Sequence, residues 1–521
     1  MRLERIAQGV FLLLVFLLAI GLIWPMAKLA LTLFEAPTLA DFLTGYNTRS
    51  FINTMLMGIC VGLLSSIAGF VIAFSLVSLR GPQAYLMKAL FPCALFAPSV
   101  MPAIGLIYLF GHNGIIFQTS LYGAVGIFLG AFVFTLPHST MQCLLALERF
   151  DAKLFDAARS LSVGAVKQFF TLLLPHSRGA LINAFLIAFV LTITDFGVPK
   201  LLGGPFPMLA TEIYNQAIGT QNTPAAVFLS LWLLAPAATA FYFTARFSKK
   251  KSALTPAKTL VGYKTPWLTF SMILSWSFVL FEVMTIAIVI YGSFVTFWPY
   301  VPELTLANYE FKNSTYGLSP WGNSFILATG VAIFGTVMAF AGALIEKRLL
   351  CIAPLFSKCY EVLTRFPLCI PGTVLGLAFA LSFAGLSVFE GTAGAMMLLI
   401  FNTVIHLFTV SHLTAVNTLE GIDSRYETVG LSLGVSRWKT LYRVVLPLSR
   451  TGLREVFCYL FASALTTISA VVFLYTPQTM PAAVATIQMI DSGFLSEGAA
   501  MSTLIFCSAL AVRFIMIRLI P

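Results

Sequence analysis

DAARSLSVGAVKQFFTLLLP, residues 156 to 175, and TVGLSLGVSRWKTLYRVVLP, residues 428 to 447, are the two stretches whose reading decides the fold. They lie 272 residues apart in one register, each with a Leu five residues after its first position (Leu161, Leu433) and a closing Leu-Pro pair (Leu174-Pro175, Leu446-Pro447). Both are basic and amphipathic, set between long apolar runs. One such segment could be any loop with an amphipathic helix; two in register in a chain of 521 residues indicate tandem halves. Asp156 falls in a first helical turn, where the dipole favours an acid. Ala157 and Ala158 offer a face that another protein can approach closely. Ser162, Gly164 and Gly434 interrupt helix propensity and allow a turn. Pro175 and Pro447 suit the first turn of the helix that follows.

Composition restricts the class. The chain is 59% hydrophobic and 10% charged, with a mean hydropathy of +0.92, where soluble domains carry about 25% charged residues. Only a polytopic membrane protein fits. The net charge of +11 lies in short loops rather than one basic tract, which argues against a nucleic-acid partner. Eight cysteines, none in a CxxC pair, and five scattered histidines read as core residues with no metal bound.

Apolar runs suggest twelve spans. The first follows MRLERIAQ and is read as a retained helix rather than a cleaved signal. The others fall near 52–79, 86–110, 121–147, 178–197, 224–246, 266–296, 323–345, 363–389, 391–415, 452–474 and 498–519. With the N-terminus inside, 27 of the 31 Lys and Arg fall on the inner side, and only Lys28, Arg49, Lys200 and Lys312 fall outside. That asymmetry places both termini and both basic loops in the cytoplasm. An odd number of spans per half would put the loops on opposite faces, so six per half is expected. The domains are then 1–247, with loop 150–175; a linker, 248–265; and 266–521, with loop 422–447.

The paired loops resemble the EAA loop of binding-protein-dependent ABC importer permeases, in which an acid and two alanines precede a glycine and a later Leu-Pro. The resemblance implies an all-α type I importer permease of about twelve transmembrane helices, in two six-helix repeats. It also implies that the loops dock on a separate, homodimeric P-loop ATPase. The contacts would come from Asp156, Ala157, Ala158, Leu161, Ser162, Gly164, Leu174 and Pro175, and from Glu427, Thr428, Leu433, Gly434, Leu446 and Pro447. The second copy departs from the pattern: Thr428 stands at the acid's place, Glu427 lies one position earlier, and Val429-Gly430 replaces Ala-Ala. Which residue there makes the ionic contact stays open.

No GxxxxGK[ST] occurs, so ATP-Mg belongs to the partner ATPase; no cofactor is expected here, and nothing points to an enzyme. The transport path or periplasmic gate is placed at Thr194, Asp195 and Lys200, and at Thr466, Thr467 and Ser469. A helix from Pro175 rises about 1.5 Å per residue, which brings Asp195 near the far side of the membrane. Asp195 either faces the cargo or caps a periplasmic loop and pairs with Lys200. Met208 and Met480, like Gln216 and Gln488, keep the same spacing, which makes the outer loops homologous.

The stretches TDFGVPKLLGG (194–204), LATEIYNQAIGTQN (209–222) and SAVVFLYTP (469–477) resemble fused permeases of the ferric-iron and 2-aminoethylphosphonate group. The last two favour phosphonate, with iron second. A periplasmic binding protein and the lipid of a bacterial inner membrane are the remaining partners implied. The competing class is an ion-gradient-driven secondary transporter built from a parallel repeat; a third is a membrane scaffold that moves no ligand.

Overall fold

The computed structural model describes residues 2–34, 45–116, 118, 120–247, 266–349, 354–383 and 385–520. The expected linker, 248–265, lies outside them. Helix dominates. Among the described residues, nine helices are long and apolar enough to cross a membrane: α1 (Gln8–Leu33), α2 (Gly45–Ser78), α4 (Ala124–Leu147), α5 (Ala165–Thr194), α6 (Thr223–Thr244), α7 (Leu268–Ser293), α8 (Ser319–Arg348), α10 (Gly391–Glu420) and α12 (Leu495–Leu519). Two more spans are sharply bent pairs: α3 (Tyr85–Phe96 with Val100–Phe110, 107°) and α9 (Lys358–Cys369 with Gly372–Phe383, 106°). The segment expected as the eleventh span forms α11 (Arg450–Thr466), which has only 17 residues, carries Arg450, Arg454 and Glu455 near its start, and is not among these candidate spans.

The sequence reading took 86–110 and 363–389 as continuous spans, and the structure corrects this. Proline drives the residue before it out of the helical region. Ala97, before Pro98, has ψ 131°, and Ile370, before Pro371, has ψ 118°. Each span therefore turns sharply there. The eleventh span also ends at Thr466 rather than 474, because the chain unwinds from Thr467 onward.

The duplication is visible in element boundaries. Lys153–Ser160 and Arg425–Ser432 are matching eight-residue helices, and π-turns at Phe169–Leu173 and Leu441–Val445 correspond in register. Thr223–Phe247 and Leu495–Leu519 also match residue for residue. All are 272 positions apart.

The two first helices cross over. α7, from the second half, lies on the first half: Ser275 Oγ donates to Val71 O at 3.3 Å and sits 2.9 Å from Ser75 Oγ, and Gly292 faces the Tyr108 ring. α1 lies on the second half, with the Phe11 ring tilted against that of Tyr360 at 5.1 Å and Gly21 against Ile405 and Phe401. Small residues let these backbones approach, as membrane interfaces require. Gly105 of α3 meets the backbone carbonyl of Thr285 directly. A Gly105→Ala substitution should push α3 off α7 and lower stability by about 2 kcal/mol, read as an earlier thermal transition in lipid nanodiscs; an unchanged transition would show that the contact carries no weight.

The segment 296–325, expected as an outer loop, opens as a two-stranded hairpin, β1 (Val295–Phe297) and β2 (Val301–Leu304). It docks on the first half, since Trp298 Nε1 donates to Asn113 O at 3.1 Å and its ring meets Tyr108 edge-on at 4.7 Å.

Candidate functional site

Each basic loop folds into an elbow of two short helices. In the first, Ser162 N donates to Arg159 O and Val163 N to Ala158 O, both at 2.9 Å, around Ser162 at φ 53°. In the second, Gly434 N donates to Leu431 O at 3.0 Å and Val435 N to Gly430 O at 2.9 Å, around Gly434 at φ 69°. This is a Schellman closure, in which a left-handed residue lets two amides satisfy the last carbonyls of a helix. Gly164 has ordinary φ and caps the next helix, as Ser436 does in the copy. The turn therefore needs Ser162 and Gly434, not Gly164.

The elbows share one end of the bundle. The start of α7 at Leu268 packs on the cluster holding Phe150 and Phe155 of the first elbow. Further along, α7 packs on Met87 and Phe91. The neighbouring Phe96 lies under the Arg513 guanidinium, and Arg513 pairs with Glu455 on the helix leaving the second elbow, at 3.0 Å. Both elbows present apolar residues outward: Leu161 is 77% and Leu433 73% exposed. A groove of about 750 Å³ lies on the second, lined by Tyr426, Val429, Leu433, Lys439 and Arg443 among others.

Asp156, Ala157, Ser162, Gly164, Pro175, Thr428, Gly434 and Pro447 are exposed as well, while Leu174 and Leu446 are half-buried. Two expected contact residues turn inward. Ala158 is buried against the body rather than forming a free face. Glu427 pairs with Arg348 of the same chain at 3.3 Å.

At the other candidate site, α5 and α11 stop at equivalent points. Asp195 (φ −69°, ψ 135°) and Thr467 (φ −70°, ψ 137°) leave the helix in the same conformation. The hydroxyls just before are used identically: Thr194 donates to Val190 O at 2.8 Å and Thr466 to Ala462 O at 3.0 Å. Asp195 then accepts from Val198 N at 2.9 Å and Gly197 N at 3.4 Å, and also bonds Ser99. Asp195 thus caps the segment that follows it. The pairing expected between it and Lys200 is not formed: Lys200 reaches across to Asp491 of the second half, at 3.1 Å. The acid at 491 sits on a helix end facing Lys200, which no spacing in the chain announces.

Ser99 lies at the break of α3, so the interruptions of α3 and α5 touch. In the second half Ser469 packs on Gly372 at the break of α9. Ile468 of the second half lies beside Gly197 of the first, and the Tyr214 ring meets Phe473 at 5.9 Å. Four helix breaks thus converge where the halves meet. Backbone freed from helix in a membrane must find internal partners, and single polar side chains supply them: Asp195 in the first half, and in the second Asn402, whose amide donates to Ala470 O at 2.8 Å. Asn402 and the α3 and α9 breaks were missed from sequence. The available signal was FPCALFAPSVMPAIG (91–105) beside FPLCIPGTVLG (366–376), proline-interrupted apolar runs in corresponding places.

Outside this centre, the start of the second span in each half holds the segment that comes after that half's fifth span. Asn53 donates to Pro207 O at 3.1 Å, and Thr54 accepts from Leu209 N at 2.9 Å. Asn323 donates to Met480 O at 3.2 Å, and Ser324 accepts from Ala482 N at 2.7 Å. Met208 and Met480 are both buried here.

Comparison with known proteins matches residues 65–253 and 352–520 to the family described as binding-protein-dependent transport system inner membrane component. The chain is 26% identical over 465 residues to the putative ferric transport system permease protein FbpB 1 of Haemophilus influenzae, covering 83% of this chain and 71% of that protein. It is 26% identical over 487 residues to the ferric transport system permease protein FbpB of Actinobacillus pleuropneumoniae, covering 90% and 70%. It is 32% identical over 94 residues to the putative ferric transport system permease-like protein AfuB of Escherichia coli, covering 18% and 78%.

Proposed function

Since this chain belongs to the binding-protein-dependent transport system inner membrane components, as a fused ABC permease holding the domain twice, we propose that it forms by itself the transmembrane path of an ATP-driven importer of ferric iron. It is a transport subunit, not an enzyme. Residues 1–247 and 266–521 serve as the two permease repeats, with both termini and both elbows in the cytoplasm. A homodimeric ATPase binds ATP-Mg and grips one elbow with each copy. A periplasmic binding protein delivers the cargo at the opposite end.

The observation that carries this reading is the pair of elbows, alike in backbone and apolar exposure, at one end of the bundle. When the ATPase copies close, the elbows are drawn together and each half turns as a body. The helix breaks around Asp195 and Thr467 are the places where that rotation can be absorbed, because no helical hydrogen bonds need to break there. The Lys200–Asp491 pair and the Tyr214–Phe473 contact, which join the halves at the outer end, would have to part for the path to open outward.

Sequence stretches 209–222 and 469–477 favour 2-aminoethylphosphonate, whereas the two FbpB ferric permeases named above match across most of the chain. The longer match puts iron first. The test is uptake into proteoliposomes holding this chain with the ATPase and binding protein encoded beside it. Fe(III) uptake that needs ATP on the elbow side and survives an uncoupler is expected. ATP-driven uptake of 2-aminoethylphosphonate instead would replace the cargo, and ATP-independent uptake abolished by the uncoupler would replace the mechanism with a secondary transporter.

A further inference from the structure

At the elbow end of the second half, where α11 begins and α12 ends, four arginines stand near one acid. Glu455 accepts from two of them: Arg454 Nη2 donates to Oε1 at 3.1 Å, and Arg513 Nη1 to Oε2 at 3.0 Å. Arg454 Nη1 also donates to Ile520 O, just past α12, at 2.6 Å. The Arg513 guanidinium lies 5.5 Å from the centre of the Phe96 ring, beside the break of α3 in the first half. Arg450, one turn before Arg454 on α11, is exposed, as is Arg518, which lies over the Phe514 ring at 4.4 Å.

This set is short of acceptors. The Arg454 side chain is 16% exposed, and its Nε–H is buried with no partner among the described residues. A guanidinium keeps its charge and its five donors in any protein environment, so a buried donor left over calls for an acceptor from outside the chain. The surroundings say which kind. Phe514, Ile515, Ile517 and Leu519 are all exposed on the last two turns of a membrane span, where such residues meet lipid. At about 1.5 Å per residue, Arg513 and Arg518 lie roughly 27 and 35 Å along α12, where a hydrocarbon core of about 30 Å gives way to headgroups.

We propose that Arg454, Arg513 and Arg518 bind the phosphate of one anionic phospholipid, whose acyl chains lie along the exposed side of α12. A phosphodiester offers the acceptors that several guanidinia need at once. A zwitterionic headgroup would bring an ammonium to the same arginines, so a lipid with net negative charge is the better fit. A free phosphate ion would meet the arginines and leave the apolar rim uncovered. One such site is expected in the chain: at positions 272 lower the first half has Ile182 for Arg454, Asn183 for Glu455 and Phe241 for Arg513. Through Arg513 and Phe96 the site touches the first half, so the bound lipid braces α3 against α11 and α12.

Native mass spectrometry of the full chain in detergent, with phosphatidylglycerol or phosphatidylcholine added, tests this. One phosphatidylglycerol should bind about tenfold more tightly than phosphatidylcholine does. Arg513→Gln leaves the Arg454–Glu455 contact in place and should weaken that binding about fivefold, as expected for one charge at a membrane surface. Combining Arg454→Ile, Glu455→Asn and Arg513→Phe puts the first half's residues at these positions. It removes both signs of charge together, and should abolish the preference. Arg178→Gln, at the first-half position matching Arg450, should keep it. Two equally tight phosphatidylglycerol molecules, no preference for that lipid, unchanged binding in Arg513→Gln, or an equal loss in Arg178→Gln overturns the proposal. Complete release of the lipid by millimolar inorganic phosphate also overturns it, since the arginines would then be a site for a soluble anion.

Discussion

Replacing Asp195 with leucine should abolish uptake while the ATPase still co-purifies with the chain. The carboxylate holds two backbone amides, Gly197 N and Val198 N, and Ser99 at the break of α3. Leucine fills a similar volume but accepts nothing. Each orphaned buried amide costs about 1–3 kcal/mol, and water is scarce where Phe196, Gly197 and Val198 are buried. About 1.4 kcal/mol is a tenfold change in an equilibrium, so two lost acceptors are enough to shift the unwound segment out of its working position by far more than tenfold. Asp195→Asn keeps one acceptor oxygen and should retain a measurable fraction of the rate. The elbows lie at the other end of the bundle and should keep their ATPase. Uptake by the leucine variant at the parental rate would show that the cap does no work in transport.

The second large effect is expected from Gly434→Val. No neighbouring atom lies within 4 Å of an added Cβ, so the penalty is in the backbone: φ is +69°. Left-handed backbone costs an L-residue about 1–2 kcal/mol and is worst for a β-branched one. Escaping it would break the bonds from Gly434 N to Leu431 O and Val435 N to Gly430 O, and so reshape the exposed surface around Leu433. Loss of ATPase binding at the second elbow, or hydrolysis that continues without uptake, is the expected result, with uptake reduced about tenfold or more. Gly434→Ser should be mild, because Ser162 already holds this conformation at φ 53° in the first elbow. Ser162→Gly should be silent. A valine variant with normal co-purification and uptake would remove the second elbow from the coupling path.

Much of this molecule was legible in its chain. The 272-residue repeat, the all-helical polytopic class and the place of both elbows in the chain all follow from local features. Apolar length sets a span because lipid satisfies no backbone group, and a turn residue such as Gly434 declares itself by type. The end of α5 was foreseen to within a few residues, whereas α11 stops well before the end of its apolar run, because the apolar residues after Thr466 continue in unwound chain.

The roles of individual polar residues were not legible in the same way. Asp195 and Lys200 are close in sequence and opposite in charge, yet Lys200 bonds Asp491, 291 positions away. Glu427, one position before the acid's place in the loop pattern, was expected among the ATPase contacts, and Arg348 draws it inward. Gly105, Asn402 and the crossing of α1 and α7 onto opposite halves carried no local mark that was read. Periodicity and composition act through the solvent each residue meets, and that is a property of the segment alone. Which charge finds which partner depends on where another helix places its donor, and only the packed bundle decides that.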